Sequence, residues 1–296
     1  MLGVVNLDKP VGPTSHDMVA LMRRLTGQRR IGHAGTLDPL ASGVLPILVG
    51  AATRLSEELT GGSKRYDAVI RLGQRSATDD AEGPLIPGDG PPPSPKAVAD
   101  ALARFVGRIS QRPPRFSARK AGGVIAHRAA RAGAPLELPA REVLIERLDL
   151  LSITAGDGWL DVRVDLRCGP GTYVRSLARD LGEALGSGGH LQGLRRTEAA
   201  GLRVEDARTP DVLQQLATDG KLTEAILPVA GLLSLPRIEL DPSSATRFVH
   251  GSTVVVRDAA ASGKMVAFAG ERLLGVGTMV AGQLKPDKVL ASETGT

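Results

Sequence analysis

Apolar and polar positions alternate along this chain with two different periods, and the changes of period mark out its elements. Residues 3–7 form a short apolar run that reads as a strand ending at Asp8, Lys9 and Pro10. Thr14 and Ser15 are helix-cap residues. Met18, Leu21, Met22 and Leu25 then follow at i, i+3, i+4 and i+7, the stripe of an amphipathic helix. In RYDAVIRLG, residues Tyr66, Ala68, Ile70 and Leu72 fall on one face of a strand. Residues 83–95, GPLIPGDGPPPSP, read as a linker or long loop, with a helix over 96–106 after it. Leu160, Val162, Val164 and Leu166 alternate again and run into RCGPGTY. Val174, Leu177, Ala178 and Leu181 then return to helical spacing, ending near Gly186. Beyond about Leu232 the texture changes to STVVV, KMVAFAG and RLLGVGTMV between glycines, which predicts a small all-β appendage. No internal repeat is visible.

Composition narrows this picture. With 42% apolar but only 2% aromatic residues, the core must be aliphatic, and 296 residues suffice for one large domain or a large and a small one. The net charge is +5, and of the 37 basic residues 8 are lysine, leaving 29 arginines. Arginine suits bidentate phosphate contacts, although GC-rich coding produces the same balance. Cys168 is the single cysteine, so an intramolecular disulfide is impossible and a structural zinc site is not expected. The first residues lack the layout of a signal peptide, and GVLPILVGAA is too short to span a bilayer and is broken by Pro46. A soluble, cytoplasmic chain is expected.

Residues 101–136 hold Arg104, Arg108, Arg112, Arg115, Arg119, Lys120, Arg128 and Arg131, with His127, and no acid. Such a window suits a phosphate backbone; the plainer alternative is a solvated basic face. Several catalytic arrangements are missing: no phosphate-binding Gly-x4-Gly-Lys-Ser/Thr, no Gly-x-Gly-x2-Gly after a strand, no Gly-x-Ser-x-Gly. His16, His33, His127, His190 and His250 show no metal-ligand spacing. What remains is Asp38 in GHAGTLDPLASG, one carboxylate among small residues. Pro39 biases Asp38 toward extended backbone, and Gly32, Ala34 and Gly35 leave room for a ligand. An ordinary Asp-Pro turn has the same letters. Arg175 lies in the first turn of a helix, where the macrodipole disfavours a cation unless an anion sits opposite; an exposed arginine is the alternative. The two tyrosines, Tyr66 and Tyr173, are ordinary core or else stack on a base.

Five segments together resemble the bacterial tRNA pseudouridine synthase B family. They are LDKPVGPTSHD at 7–17, RRIGHAGTLDPLASGVLPILVGAATR at 29–54 and KRYDAVIRLGQRSATDDAEG at 64–83. PPRFSARKAGGVIAHRAARAG at 113–133 and CGPGTYVRSLARDLGEALGSGGHLQGLRRT at 168–197 complete the set. The family modifies uridine 55 in the T-loop. The resemblance implies an α+β fold: a mixed, largely antiparallel central sheet flanked by helices, with a small C-terminal all-β PUA-like domain. It places a catalytic domain at 1–232, with an RNA-gripping thumb inserted at about 96–140, and the small domain at 233–296. It makes Asp38, Tyr66 and Arg175 the catalytic residues, with Asp38 paired to Arg175 and Tyr66 stacked on the flipped uracil, where it can share in the proton transfer. Tyr173 and Leu194 would line the pocket, His33 would contact RNA, and Lys9 and Pro10 would support the loop. Lys64, Arg65, Asp80, Arg115, Arg119, Lys120 and Arg131 are its further RNA-binding positions. No metal or organic cofactor is implied. The implied partner is the T-arm stem-loop of tRNA, bound by a monomer with no guide RNA and no membrane. Phe116 and His127 stand where the family usually has tyrosine, and Pro170 where it usually has a polar residue.

The chemistry suits a lone acid. Uridine isomerisation breaks N1–C1′ and joins C5 to C1′, with no oxidation and no water consumed. One carboxylate can attack C1′ or C6, or stabilise positive charge at C1′, and a neighbouring arginine would keep it ionised. The sequence leaves open which of these occurs and which group removes the C5 proton. Three rivals remain: a non-catalytic RNA-binding protein or tRNA chaperone on the same scaffold, a guide-RNA-dependent relative, and an enzyme acting on small nucleotides or sugars.

Overall fold

The computed structural model describes residues 1–117, 120, 121, 124, 125, 129, 132, 134, 136, 138–256 and 262–290. Arg119, His127, Arg128 and Arg131 lie outside the described residues, as does the side chain of Lys120. The alternating segments assemble into a ten-stranded central sheet. Its strands run in the order Ile226–Leu227, Gly3–Lys9, Ala41–Val49, Gly189–Ala199, Lys64–Leu72, Leu160–Cys168, Arg141–Ala155 and Gly107–Gln111. Ile31–His33 pairs beside Ala41–Val49, and Leu202–Arg203 beside Gly189–Ala199. Every pairing is antiparallel except that of Gly189–Ala199 with Ala41–Val49. Pro46 sits inside a central strand, which a missing N–H normally forbids. It is tolerated because that edge is shared: Gly189–Ala199 pairs only as far as Gly43, and Ile31–His33 begins at Ile47.

The period-2 pattern sends Tyr66, Ala68, Ile70 and Leu72, with Val162, Val164 and Leu166, to one face. The Val174–Ala184 helix packs on them through Val174, Leu177, Ala178 and Leu181. Arg65, Asp67 and Arg71 therefore take the other face, where they pair across strands with Asp165, Arg163 and Asp161. The Ser15–Thr26 and Pro210–Thr218 helices cover Val5, Leu7, Leu45 and Ile47 through Met18, Met22 and Leu213. Thr14 caps the first of these in a reciprocal capping box with Asp17. Ser15, expected as a cap, is instead the first helical residue.

Residues 83–95 contain more structure than expected. Leu85–Pro87 pairs with Gln74–Ser76 as a small hairpin, Pro87 closing the strand, and the next helix starts at Pro95 and ends at Ala103. The C-terminal strands form a second sheet of five, Arg237–Glu239, Gly263–Ala269, Arg272–Val280, Gln283–Val289 and Val254–Val255 in that order. One helix, Pro242–Val249, packs on it through Ala245 and Phe248. Strand-like texture missed this helix because it is short, and Pro242 at its first position reads as a breaker. Val276 and Leu290 of this unit share a core with Val4, Val44, Leu48 and Leu55 of the large sheet.

Candidate active site

Asp38 lies on the loop between the Ile31–His33 and Ala41–Val49 strands, and the backbone on both sides of it is tied down. Ser15 Oγ donates to Leu37 O at 2.9 Å and accepts from Leu37 N at 2.8 Å. Ala41 N donates to Asp38 O at 3.0 Å, and Gly12 N to Pro39 O at 2.8 Å. Lys9 is wholly buried, and its Nζ donates to Pro10 O at 2.8 Å, Pro13 O at 2.7 Å and Pro39 O at 3.4 Å. Pro39 thus both restricts the aspartate's backbone and offers a carbonyl to the lysine beneath. Pro10 itself is exposed and serves through its carbonyl.

The carboxylate faces Arg175. Asp38 Oδ2 is 3.0 Å from Nε, and Nη2 donates to Oδ1 at 3.3 Å; Nε is close but poorly aligned for a hydrogen bond of its own. The side chains are 36% and 7% exposed, so the acid opens to solvent while the guanidinium is sealed behind it. Arg175 Nη1 reaches Asp80 Oδ2 at 3.3 Å and Thr78 O at 3.2 Å, and Nη2 donates to Phe116 O at 2.9 Å. The anion opposite this first-turn cation is therefore a pair of carboxylates. Asp80 is buried and accepts from Thr78 Oγ1 at 2.5 Å and Glu82 N at 3.1 Å.

Burial pushes Asp38 above the ordinary aspartate range; Arg175 pulls it down and Asp80 adds to the rise. The expectation that a neighbouring arginine keeps the acid ionised captures only the opposing effect. Burial also lowers Lys9, with Asp38 resisting, and lowers His33, favouring its neutral imidazole. His33 closes its short strand with the ring edge-on to His16 at 5.8 Å between centroids.

Tyr66 is buried on the core face of its strand, and burial raises its phenol. Leu194 faces Ala68 across the neighbouring strand and Ala41 on the other side. Tyr173 occupies the N-cap of the Val174–Ala184 helix, held by reciprocal bonds to the Gln111 amide of 2.8 and 3.1 Å, its ring 5.3 Å from the Arg141 guanidinium. Lys64 turns back to the carbonyls of Thr60 and Gly62, at 2.8 and 2.9 Å. Arg65 takes the opposite sheet face from Tyr66, engaging Asp165 and Glu198. Arg115 is exposed. The basic window is anchored beside the site by backbone: Phe116 O accepts from Arg175, and Arg112 O from Ser176 Oγ at 2.8 Å and Arg179 Nη2 at 2.9 Å. At position 116 the carbonyl, common to every residue type, makes this contact.

Sequence reasoning singled out Asp38, Arg175, Lys9 and Tyr66, which converge here, and placed Asp80 only among RNA contacts. It passed over Ser15 as a loop staple and Arg196 altogether; Arg196 carried a signal, a second arginine in GLRRT beside the strand of Tyr66. Among the described residues no group of three or more His, Cys, Asp and Glu is placed to hold a metal ion.

Comparison with known proteins bears on this geometry. Residues 23–174 match the family model described as TruB family pseudouridylate synthase (N terminal domain). Residues 175–234 match the tRNA pseudouridylate synthase B C-terminal domain, and 236–290 match Pseudouridine synthase II TruB, C-terminal. A curated relative named tRNA pseudouridine synthase B, from Burkholderia mallei (strain NCTC 10247), is 44% identical, covering 98% of this chain and 97% of its own. One of the same name from Ralstonia pickettii (strain 12J) is 40% identical over 97% of this chain and 94% of its own. Among solved structures, one named "Crystal Structure of a Cbf5-Nop10-Gar1 Complex" superposes with a TM-score of 0.74 at 28% identity, covering 97% of this chain and 84% of the other. Another, "Structure of H/ACA RNP bound to a substrate RNA containing 2'-deoxyuridine", also reaches 0.74, at 26% identity over 99% and 86% of the two chains. The match runs through the Asp38 loop, the Tyr66 strand and the Arg175 helix alike, and the chain belongs to the TruB family of pseudouridylate synthases.

Proposed function

We propose that this chain isomerises uridine to pseudouridine in tRNA, at position 55 of the T-loop, with Asp38 as the carboxylate that acts on the target nucleotide. The observation that carries the role of Asp38 is its setting: an acid open to solvent on one side, clamped by Arg175 on the other, on a loop stapled at Leu37 and Pro39. A uridine turned out of its stack would meet this carboxylate beside the buried face of Tyr66. The N1–C1′ bond breaks, the base turns, C5 bonds to C1′, the C5 proton leaves and N1 takes one up. Asp38 supplies the anion at the sugar or the base, and Arg175, held by Asp80, fixes its direction. The curated relatives carry the tRNA-modifying name over nearly their full length, which supports tRNA as the substrate.

We read residues 1–232 as the catalytic unit, with the segment at about 96–140 gripping the T-arm, and 233–296 as a second RNA-binding unit. The chain acts in the cytoplasm as a monomer without a guide RNA; no described helix is long and apolar enough to cross a membrane. Asp38→Asn abolishes product in a tritium-release assay while tRNA binding survives. Product at the wild-type rate from that variant would overturn the assignment. A purified chain that modifies a bare T-arm stem-loop separates this reading from a guide-dependent one.

A further inference from the structure

Arg196 is among the most buried side chains of the protein, 1% exposed, and no carboxylate among the described residues pairs with it. A sealed guanidinium facing only neutral partners is costly, because desolvation is not offset by an opposite charge. Its Nε donates to Val44 O at 2.7 Å and its Nη2 to Gly35 O at 2.9 Å. These two carbonyls flank the Asp38 loop, one on each side of the acid. Arg196 is also the cross-strand partner of Tyr66, whose phenol lies within electrostatic reach of the guanidinium. One planar group therefore joins the loop's entry and its exit, beside the tyrosine.

The backbone is arranged to permit this. Plain strand alternation puts Arg196 on the face of Leu194, Ala68 and Tyr66, and a bulge follows it before Glu198. The strand of Arg196 runs parallel to Ala41–Val49 with Arg196 beside Gly43, whose φ is +102°. A Cβ at Gly43 would collide with Arg196 O, so only glycine allows the approach. The surrounding charges do not compensate the cation. Beyond the effect of burial, its field repels the protonated forms of Lys9, Lys64 and His33, lowering each of them further.

We infer that Arg196 is a positioning residue for the isomerisation, holding both ends of the Asp38 loop in one rigid arrangement from beneath the pocket and, as the cross-strand neighbour of Tyr66, coupling the tyrosine to that arrangement. This rests on the function proposed above and extends it to a residue that touches no substrate. Lysine keeps the charge, but its one donor nitrogen cannot reproduce the spacing of Nε and Nη2 toward the two carbonyls on either side of the loop.

The test is a double-mutant cycle of Arg196→Lys with Tyr66→Phe, read in single-turnover rate, in tRNA Kd and in thermal midpoint. Arg196→Lys is expected to lower the rate by about 10–100-fold, the effect of losing hydrogen bonds from a charged donor. Its tRNA Kd should stay within about twofold, and its loss of rate should shrink in the Tyr66→Phe background. Arg196→Gln should lose more rate than Arg196→Lys; where it does not fold, the lysine variant alone carries the cycle. A wild-type rate in Arg196→Lys, a loss confined to Kd, or strictly additive rate effects would overturn the inference. Failure of the wild-type chain to modify tRNA overturns the proposed function instead, and the thermal cycle then shows separately whether Arg196 and Tyr66 are coupled.

Discussion

Among single residues, the site is a balance of charges around one acid. Asp38 rises above its ordinary value of 3.8 because burial disfavours its anion, and Arg175 is the largest force opposing that rise. Under the function proposed above the ionised carboxylate is the working form, so kcat/KM should fall as pH drops through a value above the ordinary aspartate range. Arg175→Gln removes the opposing cation and leaves Asp80 facing Asp38, and both changes move the acid limb to higher pH. Single-turnover rates against pH check this. A limb that stays put or moves down would show that Arg175 does not act through the charge of Asp38. Lys9 contributes in a second way, since its three carbonyl contacts hold the loop whatever the state of the acid.

Among the elements, the Val174–Ala184 helix must bring Arg175 to the loop, and Gly182 governs how closely it packs. Gly182 has Gly188 and Gly189 directly against it, and a Cβ there would fall inside contact distance of the Gly189 N and Gly188 C atoms. Propensity alone predicts that Gly182→Ala stabilises a helix by about 1 kcal/mol. Packing predicts the reverse, destabilisation by about 1–3 kcal/mol, and packing wins because the obstacle is backbone. Thermal unfolding decides it, and a raised midpoint would sink the close-packing argument. The helix itself was legible in Val174, Leu177, Ala178 and Leu181, which repeat at 3.6 residues. The Pro242–Val249 helix was not legible, since eight residues after a proline carry too little periodicity.

Across the whole molecule, the acid-free window stands next to the chemistry. Carbonyls of Arg112 and Phe116 accept from Ser176, Arg179 and Arg175, so the basic segment is anchored to the helix that clamps Asp38. The exposed Arg112 and Arg115 are thus carried beside that helix, and Arg104, at the C-cap of the Pro95–Ala103 helix, is exposed as well. Replacing Arg104 and Arg115 by glutamine should weaken tRNA binding. It should also flatten the plot of log Kd against log salt by about 0.7–0.9 for each phosphate that is no longer neutralised. An unchanged slope would mark the window as a solvated face. At the opposite end, Lys264 and Lys288 meet the buried Glu58 at 3.2 and 3.4 Å, and Val276 and Leu290 enter a core shared with the large sheet. The second unit is docked on the first through both charge and apolar packing.

Residue order alone was enough to specify the strands over 3–7, 66–72 and 160–166, the helices that carry Met18 and Arg175, the aliphatic core and the cationic window, and to single out Asp38 as the candidate acid. These are written in neighbouring residues, as a period of 2 or 3.6, a depletion of one charge, or a Gly-Thr-Leu-Asp-Pro run. The strands Ala41–Val49, Arg141–Ala155 and Gly189–Ala199 went unread. Which distant groups meet that acid was settled only by the folded chain: Arg175 from 137 residues away and, beneath the loop, Arg196 from 161 residues beyond Gly35. Folding also made Asp80 the second anchor of Arg175, and sent Arg65 and Tyr66, adjacent in sequence, to opposite faces of the sheet. Those meetings follow from strand order and from one parallel pairing in an otherwise antiparallel sheet. Strand order is set by burial summed over the whole chain, so no local stretch of residues carries it.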